Sequence, residues 1–220
     1  MTKFIDSLNN QGNINFEIFY KEADEKERNM IKWSFNSDPD NDVVNFLEDI
    51  AHTYLQDNHV ILDSGCGEGR NVKVLENHID HYQLKHNKIY GIDISKTAID
   101  RAKKYFPNLN FSVQDVANLN FTDNMFDVII DAGCLHCNHY TQHQKIMDQY
   151  YRVLKPGGIL FFKSFSQPKE DVTEPIFYFD NITKKIPIYG QNLDSVKTLI
   201  KNFKIVKIID TEIHVVYLTK

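Results

Sequence analysis

No apolar run in this 220-residue chain approaches the ~20 residues that a membrane-spanning helix needs, and the stretch Met1 to Asn10 lacks the apolar core of a signal peptide. Cysteine is scarce. Cys66, Cys134 and Cys137 are an odd three without a framework of pairs, and they read as reduced thiols. Positive charge is not in excess, because 25 Lys and Arg face 30 Asp and Glu and leave a net charge of −5; no global basic field draws the chain to nucleic acid. Internal repeats and low-complexity tracts are also missing. These absences lead to the expectation of a soluble cytoplasmic protein, monomer or homodimer, that acts on small molecules and has neither nucleic acid nor membrane among its partners. With 42% hydrophobic and 25% charged residues, the chain is long enough to bury one sizeable core.

Nine glycines are few for this length, yet three of them fall in Val60-Ile-Leu-Asp-Ser-Gly-Cys-Gly-Glu-Gly-Arg70. A short apolar run there stops at Asp63 and opens into Gly65, Gly67 and Gly69, with a helix-compatible segment behind. That is how a buried parallel strand turns sharply into a helix and lets a ligand touch the backbone. Gly65 and Gly67 fit the dinucleotide pattern G-x-G-x-x-G, but Arg70 stands at its third glycine, so a pyrophosphate has a poor seat. No Lys-Ser or Lys-Thr pair follows, which excludes the phosphate loop of nucleotide triphosphatases.

Downstream, apolar strands alternate with amphipathic helices. Lys88 to Asp93 ends in an acid with Ser95 placed to cap the next helix; Asn110 to Asp115 is a third strand, and Phe126 to Asp131 a fourth. Asp131 falls at the carboxyl edge of the sheet, where open α/β sheets bind ligands. The predicted helix after the glycine turn spans Asn71 to Asn77, with the histidine-bearing stretch His78 to His86 as a polar connection. Leu154 to Phe162 supplies a helix stop, a Pro-Gly turn and the fifth strand. Gln167 to Asn192 breaks the alternation and is long for a connector, which places acceptor specificity there. Asp194 to Asn202 is the last helix, and Ile205 to Asp210 with Ile213 to Leu218 a closing hairpin. Cys134-Leu-His-Cys137 with His139 and His143 offers soft ligands, but no second cysteine pair exists to close a zinc site, and no metal is assigned.

Asp63-Ser-Gly-Cys-Gly-Glu-Gly69 resembles motif I of the class I S-adenosylmethionine-dependent methyltransferases, Asp-x-Gly-x-Gly-x-Gly. Asp93, Asp115 and the hallmark Lys155-Pro-Gly-Gly158 follow at that family's intervals, and Asp131-x-Gly-Cys-Leu-His136 is similar to small bacterial members of the thiol and small-molecule type. The resemblance covers residues ~60 to 220. It implies a Rossmann-like α/β fold with a seven-stranded, mostly parallel sheet, an antiparallel C-terminal strand and helices on both faces. Residues 1–58 are then an N-terminal helical arm and lid, and 59–220 the cofactor-binding domain, in one globular unit.

S-adenosylmethionine is the cofactor this resemblance implies. Asp63, Gly65, Cys66, Gly67 and Gly69 line it, Asp93 takes the ribose hydroxyls, Ile94 lies on the adenine, and Asp115 with the Val116 amide meets the adenine edge. Asp131 contacts the methionine end or the acceptor pocket. From the arm, Tyr20 and Trp33 are further contacts, Trp33 alternatively anchoring the arm. His136 is the catalytic candidate alongside Asp131: a base for a hydroxyl or amine acceptor, given an ordinary pKa near ~6.5, an orienting group for a thiol, or a hydrogen-bonded structural histidine. The activity implied is methyl transfer to sulfur, oxygen or nitrogen of a small molecule; a protein acceptor and a non-catalytic, cofactor-binding regulator are the alternatives.

Overall fold

The computed structural model describes residues 16–22, 35–167, 176–178 and 186–220. Helix α1 (Phe16–Glu22) and helix α2 (Asn41–Ala51) precede strand β1 (Val60–Ser64). The alternation then runs α3 (Arg70–His81), β2 (Lys88–Asp93), α4 (Lys96–Tyr105), β3 (Asn110–Val113), β4 (Phe126–Ala132), α5 (His143–Val153) and β5 (Leu154–Phe165). Strands β6 (Ile176–Tyr178) and β7 (Ile186–Ile188), helix α6 (Leu193–Leu199), and strands β8 (Lys204–Asp210) and β9 (Ile213–Thr219) complete it.

Seven strands form one sheet in the order β3-β2-β1-β4-β5-β9-β8. The first five run parallel, and β9 is antiparallel to both β5 and β8. This is the doubly wound sheet with an antiparallel end that the sequence implies. Its central strands are apolar on both sides because both faces are covered. Ile61, Val128, Ile130 and Phe161 pack under α2, α3 and α4, whereas Leu62, Ile129, Leu160 and Phe162 pack under α5 and α6.

Several boundaries differ from the sequence reading. Helix α3 continues past Asn77 to His81, because Ile79 extends its core-facing stripe and His78 is tied back to the Val74 carbonyl at 3.0 Å and to Glu48 at 3.1 Å. The histidines made this last turn look like a solvated loop. Strand β3 stops at Val113, and Asp115 belongs to the turn beyond it, accepting the Ala117 N–H at 2.8 Å. Pro156-Gly-Gly158 does not turn the chain between two elements. Phe126 pairs with Leu154 and Val128 with Ile159, so these residues bulge out of a continuous β5. The last helix ends at Leu199. Of the long connection after β5, the described part holds the two-stranded ribbon of β6 and β7.

Helix α2 belongs to the core. Asp40 caps it by accepting the Asp42 N–H, and Val43, Phe46, Leu47 and Ile50 are buried beneath it. The Phe46 ring sits 5.0 Å from those of Phe161 and Tyr217. Truncating Phe46 to Ala is expected to cost about 3–5 kcal/mol of unfolding free energy, read from urea denaturation as one cooperative transition. A loss below ~1 kcal/mol, within the range of surface substitutions, contradicts this packing and treats α2 as a detachable arm.

Candidate functional site

The site is built where β1, β2 and β4 reach the carboxyl edge of the sheet. β1 is buried up to Ser64, and the chain then turns through Gly65, Gly67 and Gly69 into α3. Gly65 and Gly67 have φ of 71° and 54°, left-handed backbone that other residues adopt at a cost. Space is equally short, since a Cβ on Gly65 would lie 2.7 Å from that of Cys134, and one on Gly67 would lie 2.7 Å from the Tyr20 hydroxyl. Cys66 is buried under the turn, its N–H donating to the Ile92 carbonyl at 2.8 Å, and burial pushes its thiol well above the ordinary range. Gly69 is the residue from which α3 starts.

Three carboxylates end these three strands, and their surroundings differ. Asp93 accepts the Gly67 N–H at 2.9 Å and the Ser95 N–H at 2.8 Å. Burial raises its pKa to about 6 against those bonds. Ser95 does the capping of α4, its hydroxyl accepting the Ala98 N–H. Asp131 is more completely engaged: Oδ1 accepts the N–H groups of Gly133, Cys134 and Leu135, and Oδ2 accepts Leu135 N–H and the Tyr150 hydroxyl at 2.7 Å. Tyr150 in turn shares a 2.8 Å bond with Ser64. Asp63, fully buried, makes no close hydrogen bond; burial outweighs the Asn71 amide and the Arg70 guanidinium, which draw its pKa down, and pushes it up to about 7.

Asp131 and His136 are the catalytic candidates. The Asp131 carboxylate folds the 132–135 turn back on itself and ties it to α5, with both oxygens engaged. His136 is buried at the end of that turn against Phe165, ring centroids 5.0 Å apart, and burial lowers its pKa to about 3. Its Nδ1 meets no described partner, and its carbonyl accepts the Tyr189 N–H at 2.8 Å, which brings the returning end of the long connection over it. A Cβ on Gly133 would approach the imidazole at 3.2 Å, so this glycine leaves the ring its place. Cys134 and Cys137 are half-buried thiols whose pKa is raised by desolvation, that of Cys137 to about 12. Among the described residues no group of three His, Cys, Asp or Glu side chains is placed to hold a metal ion.

From the N-terminal side, α1 lies across the glycine turn. Tyr20 is buried against Gly67, and its carbonyl accepts from Arg101, which also pairs with the buried Glu68 at 2.8 Å. Glu17 accepts from Ser95 Oγ, Thr97 N and Thr97 Oγ1, and these bonds outweigh burial and hold its pKa at about 2. Tyr20 lies against Gly67, while Trp33 lies outside the described residues. Ile94 is 54% exposed just past Asp93, an apolar platform at the sheet edge, and Val116 with the exposed Asp115 stands one strand further out, beyond β3. Glu17, Arg101, Tyr150 and Ser64 carry no spacing signal in the sequence; only the fold brings them here.

Chemically, the edge offers a ligand a bare backbone turn, an acceptor carboxylate at Asp93, an apolar shelf at Ile94, and at Asp63 a buried negative group short of donors. A family model described as methyltransferase domain matches residues 55–210. An uncharacterized methyltransferase of Schizosaccharomyces pombe is 31% identical over 111 residues, 49% of this chain and 72% of its own. Among solved structures, a SAM-dependent methyltransferase of Methanosarcina mazei superposes with a TM-score of 0.62 at 22% identity, over 78% of this chain and 96% of its own. The 1,6-didemethyltoxoflavin-N1-methyltransferase of Burkholderia thailandensis, solved with 1,6-didemethyltoxoflavin and S-adenosylhomocysteine, superposes with a TM-score of 0.57 at 17% identity, over 81% and 78%. At these identities the two structures share the fold.

Replacing Asp131 by Asn tests its structural assignment. The amide keeps the volume but turns one of the two oxygens that together accept from four donors into a donor itself, so unfolding free energy should drop by at least ~2 kcal/mol, the scale of a hydrogen bond to a charged group. Denaturation within ~0.5 kcal/mol of wild type contradicts the assignment.

Proposed function

The chain belongs to the methyltransferase-domain family, as a class I enzyme whose methyl donor is S-adenosylmethionine, and from that premise we propose that it methylates a small-molecule acceptor at sulfur, oxygen or nitrogen by in-line displacement. The observation that carries the donor's placement is Asp63. A buried carboxylate without close hydrogen bonds is costly unless a cation meets it, and the donor's methionine end bears an ammonium group. That carboxylate thus fits the cofactor. In this reading Gly65, Cys66, Gly67 and Gly69 present backbone to the donor, Asp93 bonds its ribose hydroxyls, Ile94 backs the adenine, and Asp115 with Val116 meets the adenine edge. Tyr20 covers the turn from above.

When bound, the donor supplies an electrophilic methyl group on a sulfonium. The chain's own residues have to hold an acceptor atom in line with it and exclude water. Orientation of that kind is worth up to ~7–11 kcal/mol in the best cases, against ~10²–10⁴-fold for a general base. The structure leans on the first. Asp131 shapes the turn that presents His136, and His136, neutral at physiological pH, orients the acceptor through hydrogen bonding. Acceptor specificity is assigned to the long connection after β5, Gln167 to Asn192. A phthiotriol/phenolphthiotriol dimycocerosates methyltransferase of Mycobacterium ulcerans and the 1,6-didemethyltoxoflavin-N1-methyltransferase, both similar to this chain, are named for acceptors other than protein or nucleic acid, and that supports this acceptor class.

Titration calorimetry with S-adenosylmethionine and S-adenosylhomocysteine, with NAD as control, tests the donor. Asp63 is raised by burial to about 7 in the free protein, so a cation that draws it back into its ionised form displaces a proton. Binding should release protons below pH 7, and affinity should rise about tenfold between pH 6 and pH 8, then level off. No adenosyl binding at any pH refutes the assignment, and pH-independent affinity refutes the part given to Asp63. A turnover screen over thiols, phenols and amines then names the acceptor. With whichever is methylated, His136→Ala should raise the acceptor's KM and leave cofactor affinity near wild type. A pH–rate limb near 6.5 that vanishes in this variant would instead restore His136 as the base.

A further inference from the structure

Helix α4 carries Thr97, Arg101 and Tyr105 at helical spacing, so the three form one stripe along it. Each meets a residue from the N-terminal side of the chain. At the first turn, Glu17 of α1 accepts from Ser95 Oγ at 2.6 Å, Thr97 N at 3.0 Å and Thr97 Oγ1 at 2.8 Å. In the middle, Arg101 donates to the Tyr20 carbonyl at 2.7 Å. At the last turn, Phe35 stacks on Tyr105 with ring centroids 3.9 Å apart and the planes within 4° of parallel. The contacts of Glu17, Tyr20 and Phe35 thus follow the stripe from one end of α4 to the other.

What the stripe holds in place is Tyr20. Its ring is buried, and its hydroxyl lies 2.7 Å from where a Cβ on Gly67 would stand, over the turn that is assigned to the methyl donor. Arg101 also reaches that turn, pairing with the buried Glu68 at 2.8 Å, so one guanidinium joins the turn to α1. Helix α1 has only seven residues, too few to persist in water without support, and its place is set by these contacts. Glu17 is the anchor that brings a charge. Burial works against its ionised form, and the bonds to Ser95 and Thr97 overcome that and hold its pKa at about 2, so the anchor stays charged at any working pH. A ligand seated on the backbone of Gly65 to Gly69 lies beneath Tyr20, and α1 has to lift for it to pass.

We propose that Glu17 is a positioning residue for exchange of the methyl donor: through Ser95 and Thr97 it fastens α1 along α4, keeps Tyr20 over Gly67, and sets the rate at which donor enters and product leaves. The inference rests on the reading of the chain as an S-adenosylmethionine enzyme and adds to it a residue that governs exchange without touching the ligand.

The test follows S-adenosylhomocysteine on immobilised full-length protein by surface plasmon resonance. Glu17→Gln keeps the shape and removes the charge; Thr97→Val removes one hydroxyl donor to it. A group that only fastens a cover controls entry and exit alike. Glu17→Gln should therefore raise the association and dissociation rate constants together, each about tenfold for a weakened bond to a charged group, and leave Kd within about threefold. Thr97→Val should move both rates in the same direction, and the double variant should fall short of the product of the single effects, because both act on one contact. Faster dissociation alone, with affinity falling by the same factor, makes Glu17 part of the ligand's own binding and overturns the proposal, as do unchanged rates or effects that multiply. Hydrogen exchange on the free protein separates this failure from that of the donor reading. Amides of α1 should exchange about tenfold faster in Glu17→Gln while those of α3 stay as they are, and equal exchange in α1 overturns the anchor. Wild-type protein that binds no adenosyl ligand refutes the methyl-donor reading, and the exchange role with it, even where α1 is loosened as expected.

Discussion

Everything in this site depends on bringing three carboxylates to one edge of a parallel sheet and keeping water from them. Asp63, Asp93 and Asp131 come from three adjacent strands, with Asp63 level with Gly91 and Ile130 and the other two acids a step further along their strands. Two of the three are met by the protein's own donors. Asp93 takes two backbone N–H groups, one of them from the glycine turn, and Asp131 takes three together with a tyrosine hydroxyl. Asp63 has only the Asn71 amide and the Arg70 charge near it and makes no close hydrogen bond. A single unmet acid among satisfied ones is the mark of a receptor, and the turn geometry, the capping of α4 and the fold of the 132–135 segment all follow from how the other two were met.

That asymmetry has a thermodynamic sign. The unfolded chain holds Asp63 at an ordinary pKa near ~3.9, and the folded one at about 7. Between these values the folded state binds the extra proton, so folding stability contributed by this group falls as pH rises from about 4 to 7 and stays low above. The full penalty is roughly 4 kcal/mol. A bound cation returns it. In the proposed placement of the donor the free protein is strained electrostatically beside it and binding relieves that strain; the charge lies behind the glycine turn, on β1.

Much of this frame was legible beforehand because it is local. Gly65, Gly67 and Gly69 sit within one turn, and Asp63, Asp93 and Asp131 each end an apolar run, so strand, turn and edge position follow from spacing. What was not legible depends on residues far apart in the chain. Asp131 looked like a free active-site acid because nothing in its neighbourhood announces that Tyr150, packed in an ordinary helical stripe, will point back at it. His136 looked like a base because its burial comes from Phe165 and the Tyr189 segment. The last turn of α3 was obscured for the opposite reason: its histidines resemble a solvated loop, yet Ile79 holds it to the core.

The two sides of the site follow different physical rules, and that difference bears on the chemistry. On the donor side, buried charge is concentrated and partly unmet. Around His136 the imidazoles and thiols are neutral while the Lys163 charge acts from β5: the imidazole itself is held at about 3, His143 at about 4 between Asn138 and Gln191, and both nearby thiols are raised above their ordinary range. A site arranged for proton abstraction places a group with a pKa near the working pH beside the acceptor; with the acceptor placed as proposed, it would instead meet hydrogen-bonding rings, and the tautomer of His143 is fixed, since its Nε2 faces a carbonyl and its Nδ1 faces the Gln191 amide. A methyl displacement needs its nucleophile aimed more than it needs it deprotonated. Charge that recruits a cationic donor on one side, and neutral aromatic surface that aims an acceptor on the other, is the division of labour that such a reaction asks of its protein.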